Sequence, residues 1–248
     1  MIIEKRKKIE FGRRNIEMII ILAVIIFLES FTSPEQRSLD YIMRWIFGYI
    51  GFGNRNLFFS SLARFLLPQI GLLLLWGNYM HENVVTNYEL IFTRTRKSYK
   101  VLWKYIVQLL IKVTMTVILL ETVLCLIYRL KGCNIDSLAD ICLDLGLYCV
   151  YMDCLIMTVN IISLAVRNIF SVIITLVIQL LLIEETYHLM QGDGIPKIYY
   201  LLPTSPIMLI NNMGLGHGIK LIWAIYLAGI TVFWFIIGCW YTSRKEYY

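Results

Sequence analysis

The chain has 248 residues, of which 58% are hydrophobic and only 16% are charged, and its formal net charge is +6. So few charged side chains cannot cover the surface of a water-soluble domain of this size, which excludes soluble enzymes and soluble nucleic-acid-binding proteins. The sequence therefore predicts an integral membrane protein.

The apolar residues fall into six long runs. Each run predicts a membrane-spanning helix, because about 20 apolar residues cross the hydrocarbon and no run alternates as a strand would. In chain order the predicted spans are 15–31, 57–80, 104–128, 141–166, 168–183 and 219–242. The first has the shortest uncharged core, since Glu17 and Glu29 leave only residues 18–28 between them. Together the runs predict one all-α membrane domain over residues 15–248.

Two further segments are predicted to lie at the membrane surface. Residues 1–14 place Ile2, Ile9 and Phe11 among six cations. This pattern fits either an amphipathic helix on anionic lipid or a basic tail that orients the first span. Residues 41–53 contain Arg44 and three glycines and are too short to cross, so we expect an interfacial helix there.

The cationic residues orient the predicted helices. With six spans both termini share one side of the membrane, and 14 of the 23 Lys and Arg residues fall on that side. Seven fall on the other side, and Arg64 and Lys112 lie inside spans. Since cytoplasmic segments carry the excess of Lys and Arg, both termini are predicted to be cytoplasmic, in a multi-pass protein of a bacterial-type plasma membrane. No signal peptide is predicted, because no small-residue cleavage site follows the first apolar run.

The motifs of several kinds of active site are missing from the sequence. It contains no P-loop, no His-Glu-x-x-His and no Cys-x-x-Cys, so neither a nucleotide nor a metal site is predicted. The six cysteines are interpreted as small core residues, and only Cys133 and Cys142 are placed to meet outside the membrane. The glutamate pair beginning at Glu184, with His188, resembles part of the motif of intramembrane CAAX-type proteases. Leu189 stands where that family has arginine, so we predict a solvated loop cluster and no catalytic residue.

The long cytoplasmic loop between the second and third predicted spans has the internal order of a docking element. Glu82 follows the span, then a short amphipathic stretch at 87–92, then a basic cluster. Asn87 can cap a short helix there, and the cations can bind phosphate head groups or an acidic partner. The candidate docking residues are Glu82, Asn87, Tyr88, Glu89, Leu90, Ile91, Phe92, Arg94 and Arg96.

This loop resembles that of the permease subunits of ABC-2 type exporters, in which a glutamate is followed by leucine, arginine and lysine at set distances. The matching residues are Glu82, Leu90, Arg96 and, one position later than in the family, Lys104. Thr86 or Asn87 stands where the family usually has a small residue. The resemblance implies that 87–92 is a coupling helix that docks on a separate ATPase subunit, which holds the ATP and Mg²⁺.

A second point of resemblance lies between the fifth and sixth predicted spans. Residues 198–210 are apolar and are interrupted by Pro203 and Pro206, which favours a break between two short helices. Apolar backbone at membrane depth must be helical or packed on protein. ABC-2 permeases have a pair of re-entrant outer helices at this place. An ordinary external loop with a hydrophobic patch is the alternative.

Five ionisable residues lie within predicted spans, where a charge is costly and is expected to face the bundle interior or a partner. They are Arg64, Lys112, Glu121, Asp144 and Asp153. Arg64 and Glu121 are each seven residues from the same end of antiparallel neighbours, so an Arg64–Glu121 ion pair is predicted, with Asp144 as the rival partner. Lys112 and Asp153 are expected near the middle, where they pair or snorkel. A role in packing is favoured over a role along a substrate path.

With the resemblance, these features imply the permease subunit of an ABC exporter, which works as a homodimer or heterodimer and moves an amphipathic peptide, lipid or drug outward. The compact chain is similar to the small permeases that export antimicrobial peptides or protect their producers. Two functions of other classes stay open. One is a non-transporting sensor or scaffold, and the other is an intramembrane protease.

Overall fold

The computed structural model describes residues 16–26, 28, 47, 55–85, 98–134, 138–166, 168–191, 202–204 and 217–244. All regular structure in these residues is helical, which confirms the predicted all-α class for this part of the chain. The α-helices, numbered in chain order, are α1 (Ile16–Ile26), α2 (Arg55–Trp76), α3 (Ser98–Leu130), α4 (Leu138–Ser163), α5 (Asn168–Gln191) and α6 (His217–Arg244). A π-helix, His81–Val85, follows α2.

Four helical segments are long and apolar enough to cross a membrane. They are Lys100–Leu130, Leu138–Ser163, Ile169–Thr186 and Lys220–Thr242, within α3 to α6. Helix α1 is apolar but shorter, and α2 is not among the four over its described residues. The chain therefore has the character of a helical membrane protein, and four of the six predicted spans coincide with helices suited to that role.

The helices do not end where the predicted spans end. Helix α3 begins at Ser98 rather than at residue 104, and α5 continues to Gln191 rather than stopping at residue 183. The physical reason is that hydropathy marks only the part inside hydrocarbon, whereas backbone hydrogen bonding continues into the polar interface. Glu184 and His188 consequently lie on the last turns of α5, so the predicted loop position of this cluster is wrong.

Helix α4 lies at the centre of the bundle. It packs against α2, α3, α5 and α6, and its contact with α6 is the most extensive of these. At one end of the bundle the ring of Trp103 on α3 meets the ring of Phe235 on α6, with centroids 4.9 Å apart. We call this the loop end, because residues 86–97 connect α2 to α3 there. The α3–α4 turn and the start of α6 lie at the opposite end.

The buried and exposed sides of helix α5 show whether the protein surface suits water or lipid. Its buried residues include the polar side chains of Ser171, Thr175, Gln179 and Thr186, none more than 2% exposed. Between Ile169 and Ile183 its exposed residues are all large and apolar, among them Phe170, Val177 and Leu181. A surface helix in water has the opposite arrangement, with its apolar side buried. An apolar exterior around a polar interior is stable in hydrocarbon, which supports the assignment to the membrane.

The turn after α3 is fixed by Gly132. This residue has φ of 82°, a left-handed conformation that favours glycine. The Cys133 N–H donates to the Tyr128 carbonyl at 3.2 Å, and the Gly132 N–H donates to the Arg129 carbonyl at 3.1 Å. These two hydrogen bonds end the helix, and the turn reverses the chain so that α4 runs back beside α3. Cys133, like the other five cysteines, is a free thiol.

Candidate functional site

Most of the predicted docking loop lies outside the described residues. Of the docking residues, the structure describes Glu82 alone. Asn87, Tyr88, Glu89, Leu90, Ile91, Phe92, Arg94 and Arg96 lie outside it, as do Pro206 and residues 1–14. In the predicted interfacial segment 41–53, only Phe47 is described, and its ring packs on Tyr148 with centroids 5.0 Å apart. The candidate site is therefore built from the polar residues of the bundle and the segment that leads into the loop.

Helix α2 is interrupted just before the loop, and the side chain of Asn160 from α4 fills the interruption. The Met80 N–H donates to Asn160 Oδ1 at 2.8 Å, and Asn160 Nδ2 donates to the Trp76 carbonyl at 2.9 Å. Trp76 and Met80 are four residues apart, so these two backbone groups would bond to each other in an unbroken α-helix. Asn160 thus replaces one helical hydrogen bond with two bonds to its own amide, a recognised cause of a kink.

Gly77 allows the close approach that this arrangement needs. A Cβ at this position would clash with the backbone carbonyl oxygen of Leu73 and would lie 3.2 Å from Cγ1 of Val159, the residue beside Asn160. Asn160 is itself fully buried, and its Nδ2 also donates to the Ile156 carbonyl at 2.9 Å. We call Trp76, Gly77, Met80, Val159 and Asn160 the α2–α4 junction. Its polar groups are shielded from water, so each bond is retained in a low dielectric.

The π-helix continues the chain from the junction towards the docking loop. The Asn78 Nδ2 donates to a carboxylate oxygen of Glu82 at 2.6 Å, which places this docking residue against the interruption in α2. The His81 ring lies 3.3 Å from the Ser163 carbonyl at the end of α4. The segment that begins the loop is therefore tied to α4 by two residues, Met80 and His81.

On its other side the same segment is held by α3. The Trp76 Nε1–H donates to Thr116 at 3.2 Å, and the Tyr79 hydroxyl donates to the Gln108 side-chain carbonyl at 3.2 Å. Between these two contacts, Lys112 Nζ lies 4.3 Å from the centroid of the Tyr79 ring and 5.6 Å from that of Trp76. The lysine is thus stabilised by aromatic faces, a contact that the sequence did not predict.

Asp153 lies deeper in the bundle and does not pair with Lys112. Its carboxylate accepts a hydrogen bond from Thr114 at 2.9 Å, and no ion pair joins Asp153 to Lys112 among the described residues. The prediction of a Lys112–Asp153 pair is therefore wrong; the alternative, that Lys112 snorkels, is not tested. Asp153 is instead bonded to Thr114 on α3, and Lys112 lies against the rings of Tyr79 and Trp76.

Amide and hydroxyl groups link α2, α4 and α5 near Asp153, since Tyr151 lies two residues before it on α4. Gln179 of α5 donates to the side-chain carbonyl of Gln69 on α2, and also to the Tyr151 hydroxyl of α4 at 2.9 Å. All three residues are at least 97% buried. Interhelical hydrogen bonds of this kind specify how helices pack inside a membrane, where no hydrophobic force acts between them.

The end of the bundle opposite the loop contains a buried ion pair. Lys220 of α6, only 3% exposed, has its Nζ 2.6 Å from Asp144 and 3.5 Å from Asp140. Lys220 is one of the seven cations predicted on the outer side of the membrane, and Asp144 is the predicted rival partner of Arg64. The structure instead places Lys220 against the start of α4, a neighbour that neither spacing nor hydropathy along the chain indicates.

The predicted Arg64–Glu121 ion pair is not formed. Among the described residues no ion pair involves Glu121, which is 3% exposed, and one of its carboxylate oxygens has no hydrogen-bond partner there. Equal depth along two helices does not ensure that two side chains meet, because the direction in which each side chain leaves its helix also decides which residues are in contact. Depth was the only information that the spacing supplied.

The proline-containing segment returns to α5. Pro203 and Thr204 are turn residues, as expected for a break at Pro203. The Thr204 hydroxyl is buried, lies 3.0 Å from the Thr186 hydroxyl and donates to the Leu182 carbonyl at 3.3 Å. This part of the segment is therefore packed on protein, while the expected pair of re-entrant helices stays a prediction.

The protease-like cluster is exposed. His188 Nε2 lies 3.9 Å from Glu184, and the two side chains are 63% and 64% exposed. The described residues contain no group of three or more His, Cys, Asp or Glu side chains placed to hold a metal ion. Exposed side chains one helical turn apart give no desolvated site in which an acid or base would be tuned.

Sequence reasoning missed the residues that organise this site. Asn160, Gln69 and Gln179 carry no charge, so a search for ionisable residues inside spans passed over them. The signal was present, because neutral amides are also costly in hydrocarbon and are expected to bond across helices. No family model matches the sequence, and no curated protein or solved structure matches it either.

Proposed function

We propose that this chain is the transmembrane permease subunit of an ABC exporter, driven by a separate ATPase subunit that binds residues 87–92. The permease has six spans with both termini in the cytoplasm, and it works as a dimer with itself or with a similar chain. Its substrate is amphipathic, of the peptide, lipid or drug class. ATP and Mg²⁺ bind in the partner.

The observation that carries the proposal is the attachment of the docking loop to the bundle. The loop begins at a π-helix whose preceding residues are bonded to α4 through Asn160 and to α3 through Gln108. Because α4 contacts four other helices, a force applied to the loop reaches the centre of the bundle directly. A loop that only tethered two spans would need no such attachment.

The polar interior supports the same function. Gln69, Gln179 and Asp153 are polar groups in an interior that lipid-facing residues surround. Polar and ionisable residues inside a membrane bundle are characteristic of transport proteins. Helices joined by hydrogen bonds can also exchange partners while they move, which alternating access requires.

The test is a double substitution in the docking loop. Leu90→Asp with Phe92→Asp puts two carboxylates on the apolar side of the coupling helix, where burial in a groove of the ATPase would desolvate them. We expect loss of co-purification with the P-loop ATPase that is co-expressed with the chain, and loss of substrate-stimulated ATP hydrolysis.

The matched control is Thr93→Asp with Thr95→Asp, which adds the same charge to the same loop but leaves the apolar side intact. This variant should retain both properties to within about twofold, because Leu90 and Phe92 keep their apolar side chains. If the Leu90 and Phe92 variant also keeps both, residues 87–92 do not couple the chain to an ATPase.

A further inference from the structure

We propose that Asn160 is a positioning residue that sets the angle between α2 and the segment leading into the docking loop. The geometry points to an exchange between two arrangements of α2. In the first, which the structure contains, Asn160 bridges Trp76 and Met80. In the second, the Met80 N–H bonds directly to the Trp76 carbonyl and α2 continues through Gly77.

The exchange conserves the backbone hydrogen bonds. The Met80 N–H is a donor and the Trp76 carbonyl an acceptor in both arrangements, so both of these backbone groups stay satisfied. Asn160 loses two bonds in the second arrangement but keeps its bond to the Ile156 carbonyl in its own helix. Because no backbone bond is lost, the cost falls on side-chain contacts, those of Asn160 and those that tie Tyr79 to α3 and His81 to α4, and a bound partner can select between the two arrangements.

Gly77 and the π-helix provide the freedom that the exchange needs. Glycine has no Cβ to clash with the Leu73 carbonyl oxygen and crowd Val159 while α2 is broken, and it is tolerated in a helix while α2 is continuous. The five residues from His81 have the wider π geometry, which often accommodates a change in helical register. The segment from Tyr79 to Val85 can therefore turn as a unit at Gly77.

The exchange would move the start of the docking loop relative to the bundle. Glu82 lies on the moving side, whereas Asn160 lies on the central helix. The connection to ATP hydrolysis rests on the proposed function, whereas the exchange itself rests only on the junction. The two claims therefore fail separately.

The test measures the shape of α2 in the full-length protein in lipid nanodiscs. Spin labels at Ala63 and Asn83, on either side of the break, report their separation by pulsed electron paramagnetic resonance. Asn160→Leu keeps the side-chain volume but removes the bridge. We expect the separation to lengthen towards the ~30 Å of twenty continuous helical residues at 1.5 Å each. Gly77→Ala should shift the separation in the same direction, because its methyl group disfavours the broken arrangement.

The control is Thr158→Val on the same helix, since the Thr158 hydroxyl bonds only to its own helix at the Cys154 carbonyl. Its separation should equal that of the unmodified protein. An unchanged separation in folded Asn160→Leu overturns the proposal; if that variant does not fold, an unchanged separation in Gly77→Ala does so. If the separation lengthens but substrate-stimulated ATP hydrolysis is unaffected, the exchange stands and its connection to the ATPase fails.

Discussion

Lys220 and Glu121 are equally buried, at 3% exposure, but their surroundings differ. Lys220 has two carboxylates within 3.5 Å, whereas Glu121 has a carboxylate oxygen without a partner among the described residues. Removing one member of a buried ion pair strands the other charge, while removing a charge that has no partner relieves a desolvation cost. The two residues should therefore respond in opposite ways to neutral substitution.

Replacing Lys220 with Met should destabilise the protein by about 3 kcal/mol, because Asp144, only 12% exposed, loses its cation. Thermal unfolding of the purified protein in detergent measures the loss. Glu121→Gln should leave stability unchanged or increase it by about 1 kcal/mol, since the amide keeps the shape and cannot ionise. An equal loss in both variants would mean that Glu121 has a charged partner, and the predicted pairing with Arg64 would be restored.

At the scale of the elements, the helices were predictable and their contacts were not. Apolar runs identified α3 to α6, because crossing hydrocarbon imposes a length that composition reveals. The interruption of α2 at Gly77 was not predicted, since it depends on the amide of Asn160, 80 positions along the chain from Met80. The Asp144–Lys220 pair was missed for a similar reason, because the sequence of either helix does not show that the start of α6 packs beside the start of α4. A pattern within one segment carries no information about the neighbour that segment meets.

The buried polar side of α5 allows a test of how the helices are held together. Gln179→Leu removes the bonds to Gln69 and Tyr151, and we expect a loss of about 1 kcal/mol, the usual value for a bond between membrane helices. Ile173→Leu on the exposed side of the same helix should have no measurable effect. Thermal unfolding in detergent again gives the comparison. If Gln179→Leu is as neutral as Ile173→Leu, the amide network does not hold α5 to the bundle.

For the whole molecule, the orientation in the membrane connects the parts. The docking loop can meet an ATPase only if the loop end of the bundle faces the cytoplasm. Ser98 begins α3 at that end, and the last turn of α6 contains Ser243. The α3–α4 turn lies at the opposite end, followed by Ser137, which is outside the described residues. The excess of Lys and Arg beside the loop end predicts that this end is cytoplasmic.

Single cysteines at these three positions test the orientation, in a background from which the six native cysteines have been removed. A membrane-impermeant maleimide should label Cys at Ser137 in intact cells, and should label Cys at Ser98 or Ser243 only after permeabilisation, because the reagent does not cross the bilayer. Labelling is read by a mass shift on a gel. Labelling of the Ser98 variant in intact cells would place the loop end outside, where no ATP-driven partner could bind it, and the proposed orientation and coupling would both be wrong.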